Sequence, residues 1–146
     1  MEKSIKVAAL YIATLKALYL IEQHCHWTTK GNDFYGDHLM FQRLYESAQE
    51  DVDLAAEKFI GVFGLECLDY TMQADLLNKV LLKYKDIEDP VSCCLKIEQD
   101  FIKFSQSAYD CFKEEETMTL GLDDMVMSIA SSREESVYLL KQAQGE

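Results

Sequence analysis

Apolar residues recur at three- and four-residue steps along most of the chain, the period of a helix face. Val7, Leu10, Tyr11, Leu18, Ile21 and Cys25 mark one stripe, with Thr14 as its polar member, and predict a helix over about residues 3 to 29. Phe34, Phe41, Leu44, Tyr45, Ala48, Val52, Ala55, Ala56, Phe59 and Val62 predict another over about 33 to 63. Between them Gly31 follows the first periodic segment, and Asn32 or Asp33 can cap the next. That punctuation predicts a helical hairpin. Helices near thirty residues need lateral packing along their whole length, which favours a bundle.

Gly64 ends the second helix, and residues 64 to 90 form a crossover too long for a hairpin turn, with a short helix expected from Met72 to Tyr84. Pro90 suits the first turn of a third long helix, about 91 to 116, through Leu95, Ile97, Phe101, Phe104, Ala108 and Phe112. After a turn at Thr119 to Leu122, a last helix over about 122 to 143 carries Met125, Met127, Ile129, Ala130, Val137, Leu139 and Leu140. The expected fold is all-α: a four-helix bundle with a short helix in the crossover between its second and third long helices. The 146 residues provide one domain, 1–146, and one core. The leucine-rich face of the crossover helix, Leu76, Leu77, Val80, Leu81 and Leu82, packs either on its own bundle or on a second copy.

Composition narrows the partners. With 14 Lys and Arg against 26 Asp and Glu, the net charge is −12, which repels phosphates and attracts cations. The N-terminus offers only Lys3 and Lys6, and the C-terminal end offers Gly145 and Glu146, so no basic tail for DNA is expected. Direct DNA binding is not expected. Cys25, Cys67, Cys93, Cys94 and Cys111 are odd in number and form no CxxC, as expected of reduced thiols in a cytoplasmic protein. The apolar run from Val7 to Ile21 is interrupted by Lys16 and continues without a convincing cleavage site into the first amphipathic helix. It reads as mature helix, and no membrane span is expected elsewhere.

Candidate chemistry concentrates between His26 and Glu57. His26 lies five residues before Gly31 and His38 seven after it, so the hairpin carries both imidazoles at a similar height, where two neutral rings can share a metal ion. Asp53 and Glu57 form a carboxylate pair one turn apart on the second helix. Asp53 follows His38 by fifteen residues, a separation of roughly 22 Å at helical rise, so one subunit cannot place all four groups on one ion. Two copies packed antiparallel about an axis near Glu46 and Ser47 would set His38 of one opposite Asp53 and Glu57 of the other. Such a two-fold creates two identical sites. Taken singly, a histidine on a helix face is usually a core residue and a DxxxE pair is usually solvated. Trp27 is read as core packing, and Glu22, Glu46, Glu50 and Asp51 as solvated or water-lined charges. No phosphate-binding loop, nucleophile elbow, HExxH or ExxH motif occurs, and the missing ExxH pairs argue against a di-iron site inside one bundle.

His26, His38, Asp53 and Glu57, with Trp27 after the first histidine, Gly31 and Phe34 in the turn, Tyr45, and Ala56 before the glutamate, resemble the ferroxidase signature of Dps-type miniferritins of the ferritin-like superfamily. The resemblance is close over residues 20 to 64. It implies a homo-oligomeric shell, a dodecamer, that binds iron as Fe(II), oxidises it with hydrogen peroxide or oxygen at a dimer-interface site, and stores the ferric product. His26 and His38 would come from one subunit, Asp53 and Glu57 from its neighbour. At Gln42 the chain departs from the family, which has a further carboxylate there; glutamine is a neutral and weaker iron ligand. Glu46, one turn on, is the first candidate to compensate. The segment from Asp124 to Ala143 resembles the last helix of the family, and Asp124 matches a position lining an acidic pore; capping of the last helix by Asp123 or Asp124 is the competing role.

Two other functions fit the residues. One is a shell of the same fold with weakened or lost ferroxidase activity, motivated by Gln42. The other is a helical-bundle metal-dependent hydrolase using His26, His38 and a third ligand; the remaining histidine, His24, lies two residues from His26 and faces elsewhere.

Overall fold

The computed structural model describes residues 1–145. The helices α1 (Glu2–Thr28), α2 (Phe34–Phe63), α3 (Tyr70–Leu82), α4 (Pro90–Glu114) and α5 (Leu120–Gln144) account for nearly all of it, and no strand occurs among the described residues. Each predicted helix is present, with ends within about two residues of the expected positions, the fraying range of helix termini. A single 3₁₀ turn, Leu65–Leu68, precedes α3 in the crossover and was not expected.

Local chemistry accounts for the boundaries. Gly31 takes φ 105° in the first hairpin turn and Gly64 takes φ 82° where α2 ends, a region that costs a side-chain-bearing residue energy. Asp69 accepts from the Thr71 and Met72 amides to start α3. Asp89 accepts from the Ser92 amide at 2.9 Å to start α4, with Pro90 in its first turn, where a missing N–H costs nothing. Asp33 stands at the N-cap of α2, but its side chain makes no cap hydrogen bond. Thr119 caps α5 through its Oγ1, which accepts from the Leu122 amide at 3.0 Å. The capping role expected of Asp123 or Asp124 therefore belongs to Thr119, because both acids lie inside the helix.

α1 packs against α2 and α4, and α5 packs against α2 and α4 from the opposite corner. Cys25, late in α1, meets Cys94, early in α4, so these helices are antiparallel and α2 and α4 point the same way. The crossover that makes this possible is held on its own bundle. Val80 is buried, Leu76, Leu77 and Leu81 are partly buried against the core, and the Gln73 Nε2 donates to the carbonyls of Ala9 at 2.9 Å and Cys67 at 3.1 Å. Leu82 remains exposed.

The core is built from Tyr11, Phe59, Phe101 and Phe112 with Ile12, Leu15, Leu18, Ile97, Leu122 and Ile129. Tyr11 meets Phe59 and Phe101 edge-on at centroid distances of 5.3 and 5.0 Å, a favoured aromatic geometry. α1 is long and apolar enough to cross a bilayer by length and composition, the one such helix among the described residues. In this fold its apolar seam faces the other helices, and Glu22 lies wholly buried on that seam.

Candidate metal centre

The hairpin between α1 and α2 brings His26 and His38 face to face. Their rings stack at 3.7 Å between centroids and 16° between planes. Each Nδ1 lies 2.7 Å from the backbone carbonyl oxygen of the other residue. A carbonyl oxygen only accepts, so both Nδ1 atoms must carry hydrogen and donate. The neutral rings are thereby fixed in one tautomer, and both Nε2 atoms keep a lone pair for a Lewis acid. Phe34 stacks on the outer face of His38 at 5.0 Å, and Tyr45 meets His26 edge-on at 5.3 Å. The pair is thus held by backbone and shielded by aromatic rings. His26 is buried and His38 partly so.

Asp53 and Glu57 are not brought to the histidines within the chain. α2 is unbroken from Phe34 to Phe63, so the fifteen residues between His38 and Asp53 span roughly 22 Å. Both carboxylates are exposed, and Glu57 opens on a cleft of about 430 Å³ with Leu54, Lys58 and Thr119. No three His, Cys, Asp or Glu side chains gather at metal-binding distance among the described residues. Gln42, one turn past His38, donates from Nε2 to the Glu46 carboxylate at 2.9 Å. That bond leaves the amide oxygen of Gln42 as its uncommitted donor atom toward a metal. Asp124 is exposed in the second turn of α5. His24 is exposed on a different side of α1 from His26, lining a cleft with Thr28, Lys85 and Glu88. Trp27 is 66% exposed, so it does not pack in the core of its own chain as expected: it follows the buried His26 by one residue and points off the apolar seam.

No protein-family model matches the chain. Among known proteins it is similar to a nutrient stress-induced DNA-binding protein of a Nostoc species, 31% identical over 65 residues, which are 44% of this chain and 35% of that protein's length. General stress protein 20U of Bacillus subtilis is 24% identical over 143 residues, 96% of each chain. Among solved structures, Dps from Microbacterium arborescens in its high iron form superposes with a TM-score of 0.76 at 15% identity, covering 98% of this chain and 93% of that one. The chain has the Dps-type, ferritin-like fold.

The interior of this Dps-type bundle holds a polar layer that the sequence did not disclose. Glu22 of α1, Asp51 of α2, Glu98 of α4 and Arg133 of α5 are all buried, correcting the expectation that Glu22 and Asp51 are solvated. Arg133 donates from Nη1 to Glu98 at 2.9 Å and from Nη2 to the Ser47 hydroxyl at 2.7 Å, and its Nε lies 3.4 Å from Asp51. The guanidinium is the only cation in the layer among the described residues, wholly buried between α2, α4 and α5. Burial pushes the Glu98 carboxyl up to about 7 despite Arg133, and Asp51 up to about 6. Burial and the neighbouring Glu98 push Glu22 well above the usual carboxylate range. Neither Glu22 oxygen meets a hydrogen-bond partner among the described residues, so burial and the neighbouring Glu98 both favour its uncharged carboxyl.

One signal in the sequence does mark these residues. Each continues a buried seam at helical steps: Tyr11, Leu15, Leu18, Glu22 on α1; Leu44, Ala48, Asp51, Ala55 on α2; Glu98, Phe101, Ser105, Ala108 on α4; Leu122, Val126, Ile129, Arg133 on α5. A charged residue on the apolar seam of each of the four long helices is a pattern that only those helices together can explain.

Proposed function

We propose that this protein assembles into a homo-oligomeric shell, a dodecamer of the Dps type, and that it is a ferroxidase which binds Fe(II) between two-fold-related subunits, oxidises it and stores the ferric product, limiting iron and peroxide chemistry in the cytoplasm. The observation that carries this reading is the reciprocal clasp of His26 and His38. It frees two Nε2 lone pairs at one end of α2, while Asp53 and Glu57 stand exposed at the other. An antiparallel α2 pair about Glu46 and Ser47 unites them.

The surface of α2 supports such packing. Leu39 and Leu54 are 44% and 42% exposed, and they are spaced evenly about the same midpoint, so each would meet the partner copy of the other. Tyr35 and Trp27, 72% and 66% exposed, add apolar area at the same end of the bundle. Exposed apolar side chains at such paired positions give an isologous contact its apolar area.

In the chemistry, neutral imidazoles suit Fe(II) and carboxylates suit the harder Fe(III), so a mixed set binds one state and passes on the other. Two ferrous ions each give one electron to a peroxide, which takes up two protons and leaves as two waters; oxygen is the other candidate oxidant. His26 and His38 hold the ferrous ion in a fixed orientation, and Phe34 and Tyr45 limit water on the ring side. Asp53 and Glu57 supply negative charge as iron's charge rises. Asp124 contributes to an acidic entry path in the shell. With a net charge of −12, duplex DNA is not a direct partner.

Gln42 favours a second reading, a shell of the same fold with attenuated oxidation, since its amide is neutral and engaged with Glu46. Subunit complementation tests the shared site. Homo-oligomers of His26→Ala and of Glu57→Ala should each lose most of the rapid, saturable Fe(II) oxidation. Dissociated and reassembled together, they should regain about a quarter of the sites, because half the dimers are mixed and each mixed dimer contains one intact site. Loss in both variants with no recovery on mixing would place the site within one subunit; wild-type rates in both would end the ferroxidase reading.

A further inference from the structure

Three thiols collect where the end of α1 meets the start of α4, beside Glu22 at the edge of the interior polar layer. The Cys25 Sγ lies 3.7 Å from the Cys94 Sγ across the two antiparallel helices. A cleft of about 210 Å³ opens beside them, lined by Cys25 and Cys93 together with His24, Thr28, Lys85 and Glu88. Cys94 is 0% exposed and lies behind Cys25, off the cleft. Cys93 turns away from that pair, its Sγ directed at the Tyr84 carbonyl at 3.8 Å.

We propose that Cys25 and Cys94 form a peroxide-oxidised thiol pair, with Cys25 as the attacking sulfur and Cys94 as the resolving one. Hydrogen peroxide is small and polar enough to enter the cleft. Cys25 sulfur, giving up its proton, attacks one peroxide oxygen; the O–O bond breaks, the departing hydroxide takes the proton as water, and Cys25 becomes a sulfenic acid. Cys94 sulfur then attacks the Cys25 sulfur, the S–O bond breaks, and the hydroxide leaves with the Cys94 proton as a second water. The balance is two thiols and one peroxide to one disulfide and two waters. The sulfurs must close from van der Waals contact to about 2.05 Å, which draws together two side chains that already face each other. The product is a staple between α1 and α4, one residue before His26. This chemistry needs no iron and stands apart from the ferroxidase reading.

The test uses metal-free full-length protein with a chelator and one to five equivalents of hydrogen peroxide. Free thiols, counted after denaturation, should fall by two from five, and peptide mapping should find one Cys25–Cys94 crosslink. Cys94→Ser should instead accumulate a dimedone-reactive sulfenic acid at Cys25, and Cys25→Ser should form neither adduct nor crosslink. Retention of all five thiols in the wild type, or a crosslink through Cys93 or between subunits in place of the Cys25–Cys94 pair, overturns the proposal. If the serine variants do not fold, the wild-type crosslink map decides by itself.

Discussion

His26 and His38 each donate from Nδ1 to the other's backbone carbonyl, at 2.7 Å in both directions, so the two helices of the first hairpin are latched by the same rings that keep an Nε2 lone pair. A metal-binding histidine is usually oriented by a hydrogen bond from its other nitrogen. Here each of the pair serves as the orienting group for its mate through the main chain. Nitrogen-15 spectra of the metal-free protein in mildly alkaline buffer should show both as the Nδ1–H tautomer. The Nε2–H form at either ring would mean the latch is absent in solution and the lone pairs are not poised.

Arg133 is the next point of failure. Its guanidinium is the shared partner of Glu98 and Asp51, and removing one member of a buried charge pair typically costs about 3–5 kcal/mol because the others are stranded. Arg133→Met should therefore lower stability by about that amount at neutral pH, read from denaturant midpoints. Adding Glu98→Met to it should recover much of the loss, since one stranded carboxylate goes with it. A single variant as stable as the wild type would show that the layer is hydrated rather than paired.

The pH dependence follows from the same layer. Glu98 is raised from 4.5 to about 7, with Glu22 on α1, Asp51 on α2 and Arg133 on α5 packed around it. Between those values the folded protein holds a proton that the unfolded chain has released, so stability from this group is greatest below 4.5 and is lost as pH rises toward about 7. The slope is at most about 1.4 kcal/mol per pH unit for one proton. Glu22, raised in the same direction, adds to it. Chemical denaturation from pH 5 to 8 should show wild-type stability falling with pH more steeply than that of Glu98→Gln. Parallel curves would mean that Glu98 ionises freely in the folded state.

The helices and their order were legible because Gly31, Gly64, Pro90 and the apolar stripes are local signals whose meaning does not depend on what packs beside them. The approach of His26 to His38 was legible for the same reason: a hairpin with a known turn fixes relative height. The polar layer was not. Glu22 and Asp51 look like surface charges one at a time, and only the arrival of Arg133 from α5 makes their burial tolerable. Trp27 failed in the opposite direction. Its size suggested the core, but its position one residue past His26 turns it outward, where a neighbouring subunit in the proposed shell would cover it.

The Gln42 amide sets the last prediction, because its bond to Glu46 separates a ligand effect from a packing effect. In Gln42→Asp the 2.9 Å donation to Glu46 is lost and two carboxylates face each other one turn apart, which costs a helix about 0.2–0.5 kcal/mol. The metal-free variant should thus be slightly less stable, with assembly unchanged. Toward iron the sign reverses: an anionic oxygen replaces a neutral one beside His38, so a second ion is held more firmly and Fe(II) oxidation should quicken several-fold in stopped-flow traces. Glu46→Gln separates the remaining alternatives. If Glu46 already supplies the missing charge, Glu46→Gln will slow oxidation and Gln42→Asp will add little. If Gln42 is the weak position, Gln42→Asp will accelerate the reaction and raise the number of ferrous ions bound per subunit by calorimetry under anaerobic conditions, whichever residue stands at position 46. Unchanged rate and stoichiometry in both variants would remove this turn of α2 from the site and leave the iron to His26, His38, Asp53 and Glu57 alone.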